Sequence, residues 1–274
     1  MDPRSVGHLS MASKVAVVTG GTQGLGEAIA HLFADRGAAG LVITGRNREN
    51  GRRVETALAA KGAKALYVSA DLAALEEARG VIKAAGERFG RIDVLVNAAA
   101  ITDRGTIFDT GPELFDRMFA INIRAPFFLM QDALLMMRRN RTKGTIVNIL
   151  SMSAHGGQSF ITAYCASKGA LLTLTKNVAF SVMRHGIRVN GLCVGWMDTP
   201  GEDRIMRTYH AAADGWREQV EAGLPFGRLV KTDEVARAVG YFASEESGLM
   251  TGAIIDFDQS VLGCYESAPQ PPRA

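Results

Sequence analysis

Short apolar runs alternate with stretches of helical period along almost the whole chain. Residues 15–19 form an unbroken apolar run of strand length. Residues 25–36 then set Leu25, Ile29, Leu32 and Phe33 on one face of a helix that stops at Gly37. The alternation continues with strands predicted at 41–44, 65–68, 92–96, 145–150, 187–193 and 253–257. Helices are predicted over 48–60, 75–88, 112–138, 162–184, 203–221 and 232–243. Strands that are apolar on both faces and separated by helices pair in parallel, with helices covering both sides. The expected fold is therefore α/β: a single-domain, Rossmann-type doubly wound parallel sheet of about seven strands. No internal repeat or linker divides it, so 13–264 reads as one domain. Residues 1–12 carry no period and read as a flexible leader; 265–274, rich in proline, read as a flexible tail.

Composition narrows the class. Hydrophobic residues at 47% and charged residues at 22% are globular values. Basic and acidic residues, 31 against 28, nearly balance and are scattered, which argues against a nucleic-acid surface. No apolar run approaches the ~18 residues of a membrane helix, and no signal-peptide core stands at the start. Cys165, Cys193 and Cys264 are odd in number and lack metal-like spacing. They read as reduced thiols of a cytoplasmic protein, and His155 and His210 likewise have no partner spacing that suggests a metal.

In sheets of this kind, ligands gather beyond the carboxyl ends of the strands. The unusual residues lie there. After the first strand comes Thr19-Gly20-Gly21-Thr22-Gln23-Gly24-Leu25-Gly26, which opens a helix. Gly20 can take the tight turn, Gly24 lets the backbone approach a pyrophosphate at the helix N-terminus, and Gly26 allows close helix–strand packing. The end of the second strand discriminates NAD from NADP. Gly45 stands where a carboxylate would hold the ribose hydroxyl, and Arg46 follows, suited to a 2′-phosphate. Arg48 lies nearby; Arg52 and Arg53 read as a solvated helix face.

Tyr164 and Lys168 are four residues apart on a predicted helix and so share one face. A nearby ammonium favours a phenolate, and a fall of about 3 units from ~10, roughly 4 kcal/mol, would make the tyrosine a base at neutral pH. Ser151, just past the 145–150 strand, can donate to a substrate carbonyl, with Ser153 as competitor. Asn122 is a polar amide among apolar neighbours that needs partners.

Together Asn122, Ser151, Tyr164 and Lys168 resemble the tetrad of the classical short-chain dehydrogenase/reductase family. The Thr-Gly-x-x-x-Gly-x-Gly loop, Asn97-Ala98-Ala99-Ala100 and Arg188-Val189-Asn190 extend the resemblance over residues 14–261. Ala100 and Val194 depart from the family's glycine and proline. The resemblance implies hydride exchange between NADP(H) and a secondary alcohol or ketone, with NAD(H) possible. Tyr164 would be the acid/base and Lys168 its electrostatic partner and ribose contact. Ser151 would orient the substrate oxygen, and Asn122 would anchor a relay water. Cofactor contacts are expected from Gly20, Thr22, Gln23, Gly24, Leu25, Gly26, Arg46, Asp71, Leu72, Asn97, Ala98, Tyr164, Lys168, Gly195, Met197 and Thr199. Asp71 reads equally well as a helix N-cap.

Residues 200–226 resemble the family's substrate lid. Glu202, Asp203, Arg204, His210, Asp214, Trp216 and Arg217, with His155 and Gln158, suit a sugar or polyol better than a steroid. An NAD-linked polyol dehydrogenase, a 3-oxoacyl-carrier-protein reductase and a non-catalytic nucleotide-binding regulator are the alternative readings. The resemblance also implies a homotetramer built on 112–138 and 162–184. The first of these carries Phe127, Phe128, Leu129, Met130, Leu134, Leu135, Met136 and Met137, apolar on more than one face.

Overall fold

The strands β1 (Val15–Thr19), β2 (Gly40–Gly45), β3 (Ala65–Ser69), β4 (Val94–Asn97), β5 (Thr145–Ser151), β6 (Arg188–Val194) and β7 (Ile254–Phe257) form one sheet. Its order is β3-β2-β1-β4-β5-β6-β7, and every pairing is parallel. The structure, a computed structural model, describes residues 9–264. The helices are α1 (Gly24–Asp35), α2 (Arg48–Ala60), α3 (Leu75–Phe89), α4 (Pro112–Phe119), α5 (Ala125–Arg139), α6 (Thr162–Val182), α7 (Pro200–His210), α8 (Trp216–Glu221) and α9 (Thr232–Ala243).

Strand side chains alternate between two cores. Ala16 and Val18 face one side, packed with Ile29 and Phe33 of α1, Val54 and Leu58 of α2, and Val235 and Val239 of α9. Val17 faces the other, against Val81 of α3, Leu129 and Met137 of α5, and Ala179 of α6. This two-sided burial is why the strands read as unbroken apolar runs. The chain leaves β1 toward β2 on one side, while β4 lies on the other, so the strand order reverses beside β1. The crevice at that switch point opens at the carboxyl ends.

Three expectations need correction. The helix predicted over 112–138 is interrupted by a π segment, Ala120–Arg124, between α4 and α5. The helix predicted over 203–221 is two helices. Thr199 caps α7 through its hydroxyl, with Pro200 at the first turn, and the chain then breaks at Ala211 and Gly215, both left-handed. Finally, the predicted leader is not wholly loose. Met11 is fully buried in the first core, its amide donates to Arg36 O at 2.9 Å, and Ala12 bridges Ala38. Residues 1–8 and the predicted tail 265–274 lie outside the described residues. No described helix is long and apolar enough to cross a membrane.

Candidate active site

The turn after β1 brings backbone into the crevice. Gly20 and Gly24 both take left-handed φ, +67° and +55°, where a side chain would be strained. A Cβ on Gly26 would collide with the carbonyl of Gly20, so the loop closes this tightly only around glycine. Gln23 is exposed at the N-cap of α1 and makes no side-chain cap; Thr22 and Leu25 are buried beneath the loop. Thr19 Oγ1 accepts from the amides of Ala98 and Ala99, at 3.0 and 3.1 Å, which ties the glycine loop to the end of β4. Opposite the loop, the Thr199 side chain stands 3.8 Å from where a Gly24 Cβ would lie.

Arg46, at the end of β2, is exposed and makes no hydrogen bond or ion pair among the described residues. Its charge nevertheless reaches Asp71, after β3. Burial works against the Asp71 carboxylate, yet the Ala73 amide, Arg117 and Arg46 together hold it below the usual range. Asp71 is not a helix cap. Its oxygens take the Ala73 amide at 3.0 Å and Arg117 at 3.4 Å, while α3 starts later, after Ala74. Arg53 is spent on Glu27 of α1 through two bonds of 2.7 and 2.8 Å, as a structural helix face should be. Leu72 is core. The Asn97 amide nitrogen donates into the sheet to Asn148 at 2.8 Å, while its Oδ1 is buried without a hydrogen-bond partner.

β5 ends in Ser151, whose hydroxyl caps a 3-10 turn (Met152–His155) by accepting from Ser153 N at 3.1 Å. The chain returns as α6, which carries Tyr164 and Lys168 one turn apart. Of the two serines, Ser151 is the one whose hydroxyl bears on the Tyr164 phenol. Lys168 is almost wholly buried; its Nζ donates to Ile149 O at 2.8 Å and lies 5.8 Å from the Tyr164 ring centroid. Burial dominates both groups. It pushes the phenol up to about 12, opposed by the Ser151 hydroxyl, with Glu202 and Cys165 adding to the rise and Arg104 opposing it. Burial also brings the lysine down to about 8, partly offset by Cys193. The expected fall draws on a nicotinamide cation as well as Lys168; in the protein alone desolvation dominates and raises the phenol.

Asn122 lies in the π segment, fully buried. Its Oδ1 accepts from Ile101 N at 3.0 Å. Its two amide hydrogens go to Ile101 O at 3.0 Å and Ser167 Oγ at 3.1 Å. Ser167 in turn donates to Tyr164 O at 2.8 Å. The side-chain amide is therefore committed to the loop after β4 and to α6, and has no hydrogen left for a water.

The lid crosses above. Gly195, at the end of β6, donates its amide to Phe257 O at 3.0 Å, and Met197 bridges Val230. Of the polar residues expected to face substrate, Glu202 is the one that bears on the Tyr164 phenol. It accepts from Trp196 Nε1 at 2.9 Å and pairs with Arg104 at 3.5 Å. Asp203 is taken up by Arg207 and Trp216, and Arg217 by Asp198; Arg204 and Gln158 are exposed, and Asp214 pairs with Arg207 on the outside. His155 turns away, toward Asp256 on β7. Arg104 went unread in the sequence. From the loop after β4 it donates to His210 at 3.1 Å, stacks over Phe160, and so latches α7 to the crevice. Its position beyond a strand end was the available signal.

Fold and site together define a Rossmann-type oxidoreductase. The chain belongs to the short-chain dehydrogenase/reductase family: a family model described as enoyl-(acyl carrier protein) reductase matches residues 20–260. Galactitol 2-dehydrogenase of Agrobacterium fabrum is 31% identical, aligning 91% of this chain with 98% of its own. The 2-(R)-hydroxypropyl-CoM dehydrogenase of Xanthobacter autotrophicus is 37% identical over 90% of this chain and 97% of its own. Among solved structures, a provisionally assigned NAD(P)-dependent gluconate 5-dehydrogenase from Beutenbergia cavernae, with NADP bound at low occupancy, superposes with a TM-score of 0.83. It is 30% identical, covering 92% of this chain and 98% of that one.

Proposed function

We propose that the chain transfers hydride between NADP(H) and a secondary alcohol or its ketone in a polar, hydroxylated substrate such as a sugar or polyol. The observation that carries this reading is the Tyr164 phenol. It feels the Ser151 hydroxyl and lies one helical turn from buried Lys168, at the strand ends beside the glycine loop.

The chain fits a nicotinamide dinucleotide. The left-handed Gly20 and Gly24 expose the N-terminus of α1 for the pyrophosphate, and Thr199 faces them from across the crevice. Arg46, free of protein partners and beside Asp71, suits a 2′-phosphate. A relative solved with NADP supports the same choice. When bound, the cofactor supplies or accepts the hydride and, oxidised, a positive ring charge.

Tyr164, held protonated by burial, gives its proton to the carbonyl oxygen during reduction and recovers one from the alcohol during oxidation. Ser151 donates a hydrogen bond to that same oxygen. Lys168 holds positive charge near the phenol and would hold the ribose hydroxyls of the bound cofactor. Asn122 acts as a positioning residue, fixing the 101–104 loop and the Tyr164 turn. Arg104, Glu202 and Trp196 give the crevice a charged, hydrogen-bonding wall, which favours a hydroxylated substrate, and galactitol and sorbitol dehydrogenases among the relatives point the same way. The exposed apolar side chains of α5 and α6, Leu135 at 56% and Phe180 at 76%, support assembly as a homotetramer.

The test is a panel of polyols, sugars and their ketoses assayed by nicotinamide absorbance with all four cofactor forms. Turnover should be greatest with NADP(H) and a polyhydroxylated substrate. Absence of turnover on every carbinol and carbonyl would refute the catalytic reading. Faster turnover with NAD(H) would overturn the cofactor assignment.

A further inference from the structure

Three potential metal ligands from distant parts of the chain meet beside the sheet's β7 edge. His155 ends the 3-10 turn after β5, Cys193 lies in β6, and Asp256 lies in β7. Cys193 and Asp256 stand opposite one another in the β6–β7 pairing, so both side chains project from one face. His155 Nε2 reaches Asp256 Oδ1 at 3.1 Å, and one ligand atom from each of the three lies within 4.8 Å of the others. Cys193 is wholly buried, whereas His155 and Asp256 remain open to solvent, so the cluster has a closed floor and an accessible mouth.

We propose that His155, Cys193 and Asp256 form a binding site for a thiophilic divalent cation of the zinc class, separate from the hydride-transfer residues. Zinc holds nitrogen and oxygen ligands at about 2.0–2.2 Å and sulfur at about 2.3 Å in a tetrahedron, which sets neighbouring ligand atoms roughly 3.5 Å apart. The His155–Asp256 edge already has such a length. The rest of the cluster needs a contraction of only about 1 Å to reach that spacing, and His155 sits on a short exposed turn that can supply it.

The ligand set selects the metal. A thiolate with an imidazole suits zinc, cobalt or copper; the hard ions magnesium and calcium prefer all-oxygen shells. Three protein ligands leave the fourth position for water.

Charge closes the argument. An ordinary thiol is protonated at neutral pH. Binding forms the sulfur–metal bond and breaks the sulfur–hydrogen bond, and the proton leaves to solvent. The thiolate and carboxylate then cancel the ion's two charges, so neighbouring Lys168 meets a neutral centre. Because Ser151 caps the turn that His155 ends, an ion here ties the Ser151 turn to β6 and β7.

The experiment uses the full chain, reduced, stripped with a chelator and titrated with cobalt(II). One ion per chain should give a thiolate-to-cobalt charge-transfer band in the near ultraviolet, bleached by added zinc, with about one proton released per ion at neutral pH. Cys193→Ser should abolish the band. His155→Gln, a change on the open side of the cluster, should weaken cobalt binding beyond the ~10-fold that even an outer-shell partner commands. No band in the native protein would overturn the site. So would a band that survives Cys193→Ser, which would place the ion on Cys165 or Cys264, or cobalt affinity unchanged in His155→Gln.

Discussion

Asn122 and Ile101 hold one another by a reciprocal pair of hydrogen bonds, 3.0 Å in each direction. The pair fixes the loop after β4, which carries Arg104 to the crevice. Asn122→Ala leaves a backbone N–H and C=O of Ile101 without partners, at about 1 kcal/mol or more each. The variant should lose about 2–3 kcal/mol in urea denaturation and lose turnover as well. Unchanged stability would show that the loop is held by other means.

Tyr164→Phe keeps the ring and removes the transferable proton. Turnover should fall by ~10²–10⁴, the usual contribution of a positioned acid or base, while NADPH affinity, read by fluorescence, stays near native. A folded Phe variant that retains half its rate would move the proton chemistry to another residue.

The buried lysine has a stability signature. Lys168 titrates at about 8 in the fold against its usual 10.5. Between those values the unfolded chain binds more protons than the folded one, so stability rises with pH across that window. The full rise is about 3 kcal/mol. Tyr164, held at about 12 against its usual 10.0, acts the other way: above pH 10 the unfolded chain loses its proton first and stability falls. Denaturant midpoints at pH 7.5 to 10.5 should climb in the native protein, and the Lys168→Met variant should lack that climb.

Arg46→Ala should weaken NADP by about 1.5–3 kcal/mol, one charge-assisted hydrogen bond, and leave NAD almost untouched. The ratio of kcat/KM for the two cofactors reads this directly. An equal loss with both would assign Arg46 to general charge rather than to the phosphate.

Assembly is the fifth expectation. Light scattering should give about four times the 29.3 kDa of one chain. Phe180→Asp, on the exposed face of α6, should break the assembly without unfolding the protomer. A native protein that scatters as a single chain would end the tetramer reading.

The strands were legible because the inner ones, such as β1, β2 and β4, are buried on both faces and leave apolar runs, while the partly exposed edge strands β3 and β7 follow from their alternation with helices. The glycine loop and the Tyr164–Lys168 pair were legible because they act through local spacing. What local spacing cannot carry was missed. The π segment keeps the same apolar rhythm as the helices on either side, so Ala120–Arg124 read as ordinary helix. Met11 stands in a stretch without helical or strand period, and only its bond to Arg36 and the pairing of Ala12 with Ala38 show why it is buried. Arg104 sits in a loop without period. His155, Cys193 and Asp256 are brought together by strand order alone. Spacing reports the lysine beside Tyr164 but not the desolvation that raises the phenol in the protein alone.

The π segment also acts as a phase setter. An α-helix turns by about 100° per residue, and the extra residue in a π turn offsets α5 from α4 by that angle. This offset lets Asn122 face Ile101 while Leu129, Met130, Ala133 and Met137 face the sheet. Losing one residue between Ala120 and Arg124 would restore a regular helix and rotate those four off the core. The length of this short stretch is thus constrained as tightly as Asn122 itself: a single-residue insertion or deletion would shift every later contact of α5 at once.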